Sequence, residues 1–63
     1  MLQHRALAEP RRREIFRLLV GAQDMQMGVE ESYEYIRDRF NLSADEVRRI
    51  EEEGVVCDWP PLC

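Results

Sequence analysis

Ile36-Arg37-Asp38-Arg39-Phe40-Asn41-Leu42-Ser43-Ala44-Asp45-Glu46-Val47-Arg48-Arg49-Ile50 is the stretch on which the fold turns. Ser43 is a good helix N-cap, and Glu46, three residues on, completes a capping box. Leu42 and Val47 take the two positions of a hydrophobic staple across the same helix start. Upstream, Val29, Tyr33, Ile36 and Phe40 are separated by four, three and four residues. That spacing predicts a helix over 29–40 with one buried face and Glu30, Glu31, Glu34, Asp38 and Arg39 left to solvent. Asn41 suits a left-handed turn residue between the two helices, next best after glycine. The pattern is a helix-turn-helix with Ile36, Phe40, Leu42, Val47 and Ile50 as its inward positions. Arg37 stands where a small residue normally lets the two helices approach.

Toward the C-terminus, Gly54 reads as the left-handed residue that ends the third helix, with Ile50 and Val55 spaced for the apolar contact of a Schellman motif. Glu51, Glu52 and Glu53 then fall in a last turn whose dipole they oppose, and read as a solvated acidic end. The remainder, residues 55–63, cannot stay helical through Pro60-Pro61 and is expected to run extended and fold back. Trp59 offers the largest apolar surface there and is expected to pack on the helices, with an exposed docking role as the alternative.

Toward the N-terminus, Glu9-Pro10 opens a helix, because proline at the first helical position loses no hydrogen bond. Ile15, Phe16, Leu19 and Val20 give it an apolar stripe, and it is expected to stop near Gly21. Leu2 to Ala8 reads as a short lead-in helix with Leu7 inward. The segment 21–28 is a connector in which Met25 and Met27 lid the core. The whole is all-α: one domain over 1–63, a small three- to four-helix bundle with an extended Pro-rich C-terminal tail.

A chain of 63 residues buries only roughly 60% of the surface its unfolded form exposes. Such a thin core leans on helix caps, on dimerisation or on a larger partner. Leu18, Leu19 and Val20 with Met25 and Met27 suggest surplus apolar surface and a possible homodimer. No run approaches the roughly 18 apolar residues of a membrane span, and no secretory signal opens the sequence, so a cytoplasmic location without membrane association is expected. Cys57 and Cys63 would enclose too small a loop to brace the core and read as free thiols. Catalytic features are lacking: His4 is the one histidine, the two cysteines have no zinc-like spacing, and no phosphate loop or nucleophile motif is present. A non-enzyme without metal or cofactor is expected.

The formal net charge is −4, yet residues 1–19 carry five arginines against two glutamates, and residues 20–63 four arginines against eleven acids. All nine cations are arginine, the residue that best makes bidentate contacts to phosphate or carboxylate.

Residues 36–51, from Ile36 to Glu51 with the core Val47-Arg48-Arg49-Ile50-Glu51, resemble the helix-turn-helix of region four in bacterial sigma factors. This covers about a quarter of the chain. Ala6 to Leu19 is similar to the opening helices of ArsR-type winged-helix repressors, although Gly54 and the proline pair leave little room for that family's longer recognition helix and β-wing. The resemblances imply a module concerned with transcription regulation. In a major-groove complex, Ser43, Ala44, Asp45, Arg48, Arg49 and Glu52 would face the bases, and Arg11, Arg12 and Arg13 would hold phosphates. Sigma-like sequences usually carry basic residues where Ala44 and Glu46 stand. The rival expectation is a protein-interaction module that presents Glu51, Glu52 and Glu53, with Trp59, to a protein partner.

Overall fold

Each of three short helices has one apolar stripe to bury, and packing all three against one another buries all the stripes at once. The computed structural model, which describes residues 7–62, takes this solution. Helix α1 spans Glu9–Asp24, α2 Val29–Phe40 and α3 Ala44–Val56, and each contacts the other two. No strand occurs among the described residues. The radius of gyration is 11.2 Å, near the roughly 11 Å expected of a compact chain this long. The core joins Ile15, Phe16 and Leu19 of α1, Ile36 of α2, Val47 and Ile50 of α3, and Trp59. Tyr33, Phe40 and Leu42 pack half-buried against it, as do Leu7, Leu18 and Val20. Leu18, Leu19 and Val20 therefore serve the core, and Leu19 has no surface left for a second chain.

The capping box at α3 is present in full. Ser43 Oγ accepts from the Glu46 amide at 3.1 Å, and the Glu46 carboxylate accepts from the Ser43 amide at 2.8 Å. Asn41 is left-handed at φ 57°, and its own amide and that of Leu42 both close on the Arg37 carbonyl.

The glycines behave otherwise than the sequence suggests. Helix α1 does not stop at Gly21 but continues to Asp24, and α3 passes through Gly54 to Val56. No glycine has positive φ; among the described residues the left-handed positions are Gln26 (69°), Asn41 (57°) and Asp58 (55°). The Schellman motif expected at Gly54 forms instead around Asp58, with Trp59 N–H bonded to the Gly54 carbonyl at 3.0 Å and Asp58 N–H to that of Val55 at 3.3 Å. Gln26 ends α1 in the same way, through Met27 N–H to Ala22 and Gln26 N–H to Gln23. Gly54 has a different task. A Cβ there would lie 2.3 Å from Phe16 Cδ1, so the absence of a side chain is what lets α1 and α3 meet.

Other expectations fail locally. Met25 is 82% exposed, whereas Met27 is half-buried, and Val29, in the first turn of α2, is largely exposed. Its place inside is taken by Ser32, fully buried, whose hydroxyl donates to the Val29 carbonyl at 2.7 Å and accepts from Gln23 Nε2 at 3.1 Å. Beyond α3 the chain does not extend but turns at Cys57-Asp58 and again at Pro60-Pro61, whose peptide bond is cis. Leu7 and Ala8 are not helical, and the rest of the expected lead-in helix, with His4, lies outside the described residues, as does Cys63. Cys57 is exposed.

Candidate functional site

Helix α3 has two sides. Val47, Ile50 and Gly54 are buried, whereas Ala44, Asp45, Arg48, Arg49 and Glu52 are exposed and recur at three- and four-residue spacing on a single outer face. Val55 and Val56 prolong that face, Val56 at 81% exposure. Of the residues expected to face bases, the structure thus brings together Ala44, Asp45, Arg48, Arg49 and Glu52, with Ser43 at their head. Ser43 already has its hydroxyl engaged by the cap. Asp45 and Arg48 approach at 4.0 Å while both stay largely exposed, a pair worth at most about 1 kcal/mol. Arg49 and Glu52 have no hydrogen bond or ion pair among the described residues.

Arg11, Arg12 and Arg13 do not join this face. They lie on the first turns of α1, each with an acidic partner: Arg11 with Glu14 at 3.0 Å, Arg13 with Glu9 at 2.8 Å, and Arg12 with Glu53. The last is a bidentate fork, Nε to Oε1 at 2.8 Å and Nη2 to Oε2 at 3.1 Å, and Nη1 also donates to the Leu7 carbonyl. The hydrogen bond to Glu53 raises the Arg12 pKa further above its ordinary value. Arg12 thereby fastens the entry of α1 to the far end of α3.

The acidic run divides the same way. Glu53 holds Arg12, and Glu51 accepts a hydrogen bond from the Tyr33 hydroxyl. That bond, with burial and the charge of Glu51 adding to it, pushes Tyr33 up from an ordinary tyrosine's 10 to about 12. Of the three, Glu52 alone is exposed, and Glu51 and Glu53 are half-buried. The helix also continues to Val56, so Glu51 and Glu52 precede its last turn and Glu53 opens it. Trp59 is 3% exposed, its ring edge-on to Phe16 at 6.1 Å and covered by the Arg13 guanidinium at 5.3 Å. Its ring is a core element.

Sequence reading missed the buried Ser32 and the Tyr33–Glu51 bond, whose partners are 18 residues apart. Arg37, noted for its size, is half-buried, and its Nε is buried with no hydrogen-bond partner among the described residues. Among the described residues, no group of three or more His, Cys, Asp or Glu side chains is placed to hold a metal ion, and no helix is long and apolar enough to cross a membrane. The chain matches no protein-family model, no curated protein and no solved structure.

Proposed function

We propose that α2, the turn at Asn41-Leu42 and α3 form a helix-turn-helix in a non-catalytic, cytoplasmic bacterial module that associates with double-stranded DNA and takes part in transcription regulation. One observation carries this reading: Arg48 and Arg49 project from a helix whose start is fixed by a complete capping box, on a face with no duty in the core. A recognition helix needs that combination of a rigid support and uncommitted side chains near its N-terminus. In this reading Arg49 takes guanine or phosphate and Arg48 exchanges its loose partner Asp45 for the same. The likeness of residues 36–51 to sigma region four supports the same placement. Arg12 is held in its fork by Glu53, and Arg11 and Arg13 lie on α1 away from this face, so the three contribute little to phosphate binding there and the affinity is modest.

The test is fluorescence anisotropy of a labelled mixed-sequence duplex, titrated at several salt concentrations. Binding is expected at low salt, weakening steeply as salt rises. Absence of binding at low salt refutes the proposal.

A second reading is favoured by a separate observation. The outer-face charges Asp45, Arg48, Arg49 and Glu52 sum to zero, and the exposed Val55 and Val56 continue that face. This combination suits a protein partner docking on α3, with Glu52 at its rim. Under it, retention of a basic partner in a pull-down falls when Glu52 is made glutamine, and duplex binding is absent.

A further inference from the structure

Pro10, Arg13, Glu14 and Arg17 recur along one side of α1, and Pro60 of the C-terminal turn stands against them. Together they line a cavity of about 230 Å³. This is below the roughly 300–1,000 Å³ of a cofactor-sized site, and it fits one or two side chains of a partner.

The charges in this groove are not those the sequence suggests. Glu14 is engaged by Arg11. Arg13 is fixed from two directions: its Nε and Nη2 point at Glu9, and its guanidinium carbon stands over the Trp59 ring, 5.3 Å from the centroid. Its Nη1 donors have no partner among the described residues. Arg17, one helical turn further on, is exposed and has neither hydrogen bond nor ion pair there. The groove therefore offers two guanidinium groups, roughly 6 Å apart at their Cβ atoms, with Pro10 and Pro60 in the same lining and the one lining carboxylate, Glu14, taken by Arg11. An arginine held in place by its neighbours loses little freedom when it takes a carboxylate.

We propose that the groove between α1 and Pro60 binds a short acidic segment of a partner protein, with a carboxylate bridging Arg13 and Arg17 and a neighbouring aliphatic side chain on Pro10 and Pro60. The complementarity is local, since the chain as a whole carries a net charge of −4. The groove shares no residue with the outer face of α3, so its occupancy is independent of DNA binding there.

Trp59 is the chain's one tryptophan and lies beneath Arg13, so its emission reports on the groove. The probe is a synthetic hexapeptide alternating glutamate and leucine, titrated into the full chain. A saturable change in emission is expected, with a midpoint below about 1 mM. Arg17→Glu weakens it by about tenfold or more, the glutamine–leucine peptide gives no response, and Arg49→Ala leaves the response intact. If Arg17→Glu does not fold, Arg17→Gln serves in its place. The proposal is overturned by the absence of saturation, by equal binding to the Arg17 variant, or by equal binding of the glutamine–leucine peptide. It is also overturned if duplex DNA, in place of the peptide, produces an Arg17-dependent change.

Discussion

The inner and outer sides of α3 run the length of the same helix, yet the rest of the chain uses them very differently. On the inner side, Val47 and Ile50 are buried, Glu51 holds Tyr33, Glu53 holds Arg12, and Gly54 lies against the Phe16 ring. On the outer side, seven exposed residues from Ala44 to Val56 share one ion pair at 4.0 Å among the described residues. In a protein with so thin a core, folding determines which residues the inner side can carry. It places almost no demand on the outer side, whose arginines and valines are therefore available to a partner.

The contrast is sharpest at Gly54. A Cβ there would meet an aromatic ring that is itself buried and has nowhere to move. Gly54→Ala is expected to lower unfolding free energy by about 3 kcal/mol, at the upper end of overpacking effects, as read by urea denaturation. An unchanged midpoint would break the comparison at its strongest point.

Tyr33→Phe comes next. Losing a hydrogen bond to a charged, half-exposed carboxylate is expected to lower stability by about 1–2 kcal/mol at neutral pH. The pH dependence is more telling. Because the folded chain holds the phenolic proton more tightly than an unfolded tyrosine does, the contribution is complete below pH 10 and is lost as the pH rises to about 12. Denaturation midpoints across that range should fall more steeply for the original chain than for the variant. Parallel curves would remove Glu51 from the inner side.

Ser43→Ala removes one half of the capping box and is expected to cost about 1 kcal/mol, with loss of helical circular dichroism confined to a small fraction. The smallest effect on stability belongs to the outer face. Arg48→Ala and Arg49→Ala are each expected to stay within about 0.5 kcal/mol of the original chain, and larger losses would show that the outer side is structural after all.

How much could be read in the sequence depends on the range of the interactions involved. The turn from Phe40 to Glu46 was legible because each of its determinants sits within five residues of its partner. The Ser43–Glu46 box, the left-handed Asn41 and the apolar Leu42 and Val47 all act locally. The bounds of α2 came from spacing alone. Gly54 misled for a physical reason: a glycine late in an amphipathic helix looks like a stop, whereas its close approach to Phe16, 38 positions away, leaves no trace in the adjacent sequence; Gly21 merely continues α1 and makes no such approach. The residues that do end the helices, Gln26 and Asp58, are ordinary polar residues held left-handed by the Schellman hydrogen bonds of Met27 and Trp59. In the candidate site, Ala44, Asp45, Arg48 and Arg49 were correctly placed together by helical spacing. The pairings that withdraw Arg12, Glu51 and Glu53 from the surface cross 18 or 41 residues, beyond the reach of any local pattern.

The outer face of α3 as a DNA-reading surface is the central claim, and one double variant tests it most directly. Arg48→Ala/Arg49→Ala, shown by circular dichroism and urea denaturation to be folded, is compared with the original chain for duplex binding by anisotropy at low salt. Loss of binding is expected, with the stability of the two chains matching to within about 1 kcal/mol. Equal affinity in a folded double variant would contradict the claim.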